Sequence, residues 1–333
     1  MIGKSLLVLA AASLGSAHKV CRHPLPPDCM IDIRDLCPNL YQNPNGYGAA
    51  PERPLAPQEL RLPPQQPPAL PEQPREVSPK VILPTLSPDR NYRFDCSSDA
   101  YVLQNRTLYL VNMKTGANIT VAENASPQGR GFNALGYNAN DRFLYGLQGR
   151  TLIRILNDGK LSIEPVMDTG INAKLGDFDN RGLLWLSQAG KKVVSIHLKQ
   201  DKHYGTIIRN HEVDLKGFPI PKDWAFIAGK PDYLYAIGVV PDGEDGYPML
   251  MRFATKSLEW EEVYRVPGIR TNKGATFGAA VGTPNGGFYA MHNGNGRVLR
   301  LDINNAAAAR WVSQTRPSKV NDATRCYKQP DWE

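Results

Sequence analysis

The sequence predicts an all-β protein: a β-propeller of five blades, with six or seven as alternatives, closed by an inner strand from the C-terminal end. Three observations carry this expectation. The stretch FNALGYNANDRFLYGLQGRTLIRI, residues 132–155, recurs in weakened form about five times along the chain. The copies follow one another at roughly 40–50 residues and consist of short strands, which is the spacing of propeller blades. The first copy lacks one strand, and a match for that strand sits near the other end of the chain.

The best-preserved unit holds a small-residue strand with Gly136, a polar turn, the aromatic-rich strand Phe143-Leu144-Tyr145, a second turn, and the alternating strand Leu152–Ile155. A third unit reads Lys174–Asp179, a turn Asn180-Arg181-Gly182, then Leu183–Leu186. A fourth reads Ala225–Gly229, a turn around Pro231-Asp232, then Tyr233–Ile237, and a fifth reads Gly278–Gly282, a turn Pro284–Gly287, then Phe288–Met291. Alternating strands continue them at Val193–Leu198, Met249–Phe253 and Val298–Leu301. Fourth strands are expected at Leu161–Val166, Ile207–Val213, Leu258–Val266 and Arg310–Ser313. Four strands joined by Asn, Asp and Gly turns are what a blade requires. Glycines in the first strand fit the crowding around a central channel.

The first unit has strands at Ala100–Leu103, Thr107–Val111 and Ile119–Val121 but no inner strand ahead of them. Residues Val320–Cys326 echo Phe132–Tyr137, so the C-terminal end is expected to complete the first blade and remove the open sheet edge. That arrangement brings Cys326 beside Cys96, about 230 residues earlier, and predicts a disulfide between them.

Residues 1–17 read as a secretory signal peptide. Lys4 is followed by the apolar run Ser5–Leu14 and by Gly15-Ser16-Ala17, with cleavage expected after Ala17. A run of about ten residues is too short to span a bilayer, which needs about 20. The expected compartment is extracellular, without membrane insertion. Secretion favours disulfides among the five cysteines, with the pairing of Cys21, Cys29 and Cys37 left open. Residues 18–50 form a small cysteine-containing segment, residues 51–88 a proline-rich polyproline-II linker, and residues 89–333 the propeller.

The motif Asn133-Ala134-Leu135-Gly136-Tyr137-Asn138, with Asp141 and Leu144-Tyr145-Gly146, resembles a family of uncharacterised secreted propeller domains of fungal extracellular and bacterial surface proteins. The resemblance covers about residues 96–326 and implies the propeller fold. It brings no catalytic or binding residues with it. Phe178–Trp185 is similar to the Asp-x-x-Gly-x-Leu-Trp hairpin found in many propellers.

No nucleophile elbow, phosphate-binding glycine loop, zinc-protease helix or dinucleotide fingerprint occurs, and no cofactor or metal is expected. A glycoside hydrolase needs two opposed carboxylates, and the inner strands offer Asp177, Asp179, Asp223 and Asp322. Asp179 reads as the turn residue of its hairpin, with Asp177 capping the same turn. Asp177, Asp179 and Asn180 only loosely match a calcium loop. His18, at the expected mature N-terminus, with His23 nearby, lacks the compact sandwich that a copper brace would require.

The expected ligand-binding ring lies where the inner strands begin, at Asn133, Asn172, Asp223, Lys273, Asn321 and Asp322, with Trp224 beside Asp223 as a sugar-stacking partner. Tyr109, Tyr145, Trp185, Tyr235 and Tyr289 are expected between blades. The net charge of +7 and pI near 9.1 favour acidic partners, but no basic cluster interleaved with aromatics marks a nucleic-acid face. Glycosylation sequons stand at Asn105, Asn118 and Asn124. The function expected is a secreted, non-enzymatic binding or interaction module directed to an extracellular glycan or cell-wall polymer. The alternatives are a propeller hydrolase acting on glycans or lactones, and a secreted effector-type factor.

Overall fold

A computed structural model describes residues 92–123, 132–272 and 274–333. The expected signal peptide, the segment with Cys21, Cys29 and Cys37, the proline-rich linker, Asn124 and Lys273 lie outside the described residues.

Five antiparallel sheets form among the described residues. The first blade contains β1 (Ala100–Gln104), β2 (Thr107–Val111) and β3 (Asn118–Ala122), and its inner strand is the last of the chain, β21 (Asn321–Thr324). The second runs from β4 (Asn133–Asn138) through β5 (Phe143–Gln148) and β6 (Thr151–Ile155) to β7 (Ile163–Asp168). The third holds β8 (Leu175–Phe178), β9 (Leu183–Gln188), β10 (Lys192–His197) and β11 (Thr206–Glu212). The fourth holds β12 (Asp223–Phe226), β13 (Tyr233–Asp242), β14 (Asp245–Ala254) and β15 (Glu259–Arg265), with β16 (Thr271–Asn272) added on β14. The fifth holds β17 (Phe277–Gly282), β18 (Gly287–His292), β19 (Arg297–Asp302) and β20 (Arg310–Gln314). The protein is thus all-β, a five-bladed propeller.

Burial explains the sequence of each strand. Second strands are covered on both faces by neighbouring blades, so β5, β9 and β18 are almost continuously buried and read as unbroken apolar runs. Outermost strands meet water, and β11 is exposed along nearly its whole length with polar side chains to match. Five apolar clusters lie between successive blades. One packs Tyr145 against Phe178, and another packs Val102 of the first blade against Tyr289 and Met291 of the fifth. Tyr145, Trp185, Tyr235 and Tyr289 are buried in these clusters, while Tyr109 packs against one from its edge.

The ring closes as the sequence predicts. β21 pairs antiparallel with β1, matching Tyr101 with Thr324 and Gln104 with Asn321. The Cys96–Cys326 disulfide, with Cα atoms 5.2 Å apart, covers the same seam. The tail beyond it reinforces the join, because Trp332 Nε1 donates to Asp99 and Tyr289 Oη donates to Asp331.

Two features depart from expectation. The β13–β14 hairpin is ten residues long on each side and projects beyond the blade, where β16 pairs with its end. The fourth inner strand begins at Asp223, because Asp223 and Trp224 pair in register with Ile237 and Ala236. The small-residue run Ala225–Gly229 ends this strand and enters the turn closed by Lys230 N donating to Ile227 O.

Candidate functional site

The inner strands β21, β4, β8, β12 and β17 contact one another in a ring around the propeller axis. Their backbones lie too close for ordinary side chains on every face. A Cβ on Gly176 would come within 2.3 Å of Ala134 O, and one on Gly282 within 2.4 Å of Phe226 O.

Three carboxyl groups on these strands tie neighbouring blades together. Asp322 Oδ2 accepts from Leu135 N at 3.1 Å, Asp177 Oδ2 from Phe226 N at 2.8 Å, and Asp223 Oδ2 from Ala280 N at 2.6 Å. Thr324 Oγ1 accepts from Tyr137 N at 2.7 Å. Asp177 therefore does not cap its own turn; it reaches into the next blade. Asp179 takes the turn role alone, accepting from the Arg181 and Leu183 amides and from Trp185 Nε1. With these two carboxylates committed to different partners, the loose calcium-loop pattern finds no counterpart, and no cluster of metal-ligating residues occurs among the described residues.

Burial controls the protonation of these acids. It pushes the Asp177 carboxyl up to about 7 against its amide partners, and Asp179 nearby adds to the rise. Asp223 is raised well above the ordinary range by burial and then by the Asp322 carboxyl. Asp322 is raised well above that range by burial, with Asp177 adding to it. None of the three forms an ion pair among the described residues, so only backbone and hydroxyl hydrogen bonds oppose the upward push of burial.

Above this layer, where the inner strands begin, a cavity of about 560 Å³ opens at the channel mouth. Amide side chains of Asn133, Asn172, Gln188, Asn293 and Asn321 line it. Lys174, Lys222 and Lys319 line it as well, each from a different blade, and no Asp or Glu does among the described residues. A β-bulge in β4 helps place Asn133: the register shifts between Asn133 and Gly136, and Ala134 between them adopts φ 58°. Asn293 Oδ1 accepts from Gly278 N and from Asn321 Nδ2, which fixes both amides. The Asn321 Oδ1 atom is buried with no hydrogen-bond partner.

The structure thus brings Asn133, Asn172 and Asn321 to one mouth and takes Asp223, Trp224 and Asp322 out of it. Those three are 1%, 0% and 1% exposed. The expected sugar-stacking pair is corrected accordingly: Trp224 packs near Phe253 and Trp260 in the cluster between the third and fourth blades, and Asp223 is an inter-blade tie. Sequence reading missed the roles of Lys174, Lys222, Lys319, Gln188 and Asn293. A signal was available, since Lys174 and Lys222 each stand immediately before an inner strand and Lys319 stands two residues before one. Of the sequons, Asn105 sits exposed in the β1–β2 turn and Asn118 exposed at the start of β3.

The profile of one family, Repeat of unknown function (DUF6923), matches residues 98–328. The chain belongs to this family. No match was found among curated proteins. Among solved structures, the nidogen–laminin complex is similar at 15% identity and a TM-score of 0.41, over 70% of this chain and 82% of that one. A virginiamycin B lyase from Staphylococcus aureus is similar at 14% identity and a TM-score of 0.36, over 67% and 85% of the two chains. A putative TolB from Agrobacterium tumefaciens reaches 12% identity and a TM-score of 0.37, over 67% and 97%. At these values the likenesses carry no argument about activity in this member of the DUF6923 family.

Proposed function

We propose that this propeller is a secreted, non-enzymatic binding module that takes a hydroxyl-rich saccharide of an extracellular or cell-wall polymer at the channel mouth. One observation carries the reading: the mouth cavity is lined by amides and ammonium groups, while the inner-strand carboxyls below it are engaged with backbone N–H groups of the next blade. Side-chain amides both donate and accept, which matches the alternating needs of sugar hydroxyls. A volume of about 560 Å³ falls within the range of small-ligand sites. Hydrolysis would need two carboxyl groups placed across a glycosidic bond, and the described residues of the lining offer none.

The test is a glycan array probed with the full chain and with rim variants Asn172→Trp and Thr276→Trp, both at exposed lining positions. Glycan binding by the wild type that disappears in the variants, with thermal melting unchanged, supports the reading. Binding that survives both variants places the ligand elsewhere and refutes it.

A hydrolase is the second reading, favoured by Asp177, a half-buried channel acid whose carboxyl is pushed up to about 7. Release of reducing ends from a polysaccharide, lost in Asp177→Asn, would establish it.

A further inference from the structure

We propose that the mouth selects an acidic saccharide, with Lys174, Lys222 and Lys319 engaging the carboxylates of uronic acid residues while the amides hold the ring hydroxyls. The proposal rests on the reading that the mouth binds a saccharide and adds the charge class of that saccharide.

Placement is the first argument. The three lysines come from the third, fourth and first blades, yet all reach the same cavity because each stands just before an inner strand. Three lysines elsewhere on the propeller do have carboxylate partners, Lys192 with Glu212, Lys216 with Glu259 and Lys256 with Asp232, whereas other lysines among the described residues stand apart on separate surfaces and do not share one cavity. Lys174, Lys222 and Lys319 form no ion pair among the described residues. Three unneutralised ammonium groups around one concavity repel one another, and an anion between them relieves that repulsion.

The second argument is what surrounds them. Among the described residues, no carboxylate lines the cavity to compete for the lysines. The acids deeper in the channel are held toward their neutral forms by burial, so they add little negative charge beneath the mouth. The mouth is therefore cationic over a floor of low charge.

The donor set then narrows the anion. Among the described residues, no arginine lines the cavity to grip a phosphate or sulfate through a planar fork. Phe277 is the only aromatic side chain of the lining among the described residues, which offers no series of platforms for stacked bases. Mixed amides with separate ammonium groups suit a compact ligand that carries hydroxyls and carboxylates together, and a uronic acid is such a ligand. The buried, unpartnered Asn321 Oδ1 supplies an acceptor for a hydroxyl proton.

The experiment measures binding of the full chain to tetramers of galacturonate, mannuronate and glucuronate, to their methyl esters, and to neutral galactose tetramers, by calorimetry at two salt concentrations. At least one uronate tetramer should bind about tenfold or more tightly than its methyl ester, and higher salt should narrow the gap. The triple variant Lys174→Gln, Lys222→Gln, Lys319→Gln should lose that preference while melting as the wild type does. Acid and ester binding equally, in wild type and variant alike and still blocked by Thr276→Trp, overturns the charge inference and leaves the saccharide reading standing. Preference for a neutral glycan on the array does the same. A blank array removes both.

Discussion

Asp223 Oδ2 accepts a 2.6 Å hydrogen bond from the Ala280 amide, so a carboxyl of the fourth blade closes a backbone donor of the fifth. Asp223 Oδ1 accepts from Trp224 N on its own strand. Asp223→Ala leaves the Ala280 amide buried and unpaired, and should cost about 1–3 kcal/mol. Asp223→Asn keeps one acceptor oxygen but sets its NH2 against the other backbone N–H, so it should recover only part of that loss. Urea denaturation of both variants checks the order; equal losses would show that volume, and not the hydrogen bond, is what the site requires.

Stability should fall as pH rises from about 4 to about 7, the reverse of an ordinary salt-bridged protein. Asp177 is pushed up to about 7 and Asp141 to about 6 by burial, and Asp223 and Asp322 move the same way. Between the unfolded value of 3.8 and these folded values, the folded chain holds protons that the unfolded chain has released. Their contribution is complete below 3.8 and is lost as pH climbs through the folded values. His292, lowered by burial, acts in the opposite direction, but as one group against four. Asp158, Asp168 and Asp201, which are lowered, lose their contribution only at more acidic pH. Urea midpoints at pH 4.5, 6 and 7.5 should descend, and Asp177→Asn should flatten the descent. A midpoint that rises with pH would show the channel acids ionised in the folded protein.

Removing the closing disulfide should weaken the whole ring. Cys96 and Cys326 span 230 residues, and in the chain-entropy model a loop of that order contributes about 5.5 kcal/mol. The double variant Cys96→Ser, Cys326→Ser should lower the melting temperature of the entire propeller in one cooperative step. A separate early transition of the first blade would mean that β21 detaches without the ring.

Blade number, ring closure and this disulfide were legible in the sequence because each is written locally. Turn residues and apolar runs mark the strands, and the echo of Phe132–Tyr137 in Val320–Cys326 marks the closure. The channel acids were not legible. The partner of Asp177 is a backbone N–H 49 residues away, and amides carry no sequence signature. Trp224 was misplaced because its strand begins two residues before the small-residue run that resembled the strand start. The grouping of Asn133, Asn172 and Asn321 around one cavity could be read from the sequence because they recur at or near inner-strand starts. The lysines recur there too, but their common destination shows only once the blades are in a ring.

The C-terminal tail should behave as part of the core. Asp331 Oδ1 accepts from Tyr289 Oη at 2.6 Å and Oδ2 pairs with Arg300 at 3.3 Å, with both charged side chains nearly buried. Asp331→Ala should cost about 2–3 kcal/mol, below the range for a fully broken buried pair, because Arg300 keeps Glu333 at 3.1 Å. Chemical denaturation reads this directly, and a loss under about 0.5 kcal/mol would place the tail among ordinary surface segments.

The β4–β8 contact should be the least tolerant of added atoms. The ties from Asp322, Asp177 and Asp223 join β21 to β4, β8 to β12 and β12 to β17, whereas β4 and β8 meet backbone to backbone at Ala134 and Gly176. A methyl group on Gly176 would lie 2.3 Å from Ala134 O and 2.5 Å from Ala134 C, and no flexible side chain is there to yield. Ala134 is already held at φ 58°, a left-handed conformation costing about 1–2 kcal/mol for a residue with a Cβ. It therefore has little freedom to retreat. Gly176→Ala should destabilise by about 3 kcal/mol, at the upper end of the overpacking range, and should shift Asn133 at the mouth, one residue from Ala134. Ala134→Gly relieves the strain and should be neutral to mildly stabilising. Thermal melts of the two variants, with saccharide binding measured alongside, check the pair; a Gly176→Ala protein that melts like the wild type would show that the blades separate more easily than this packing implies.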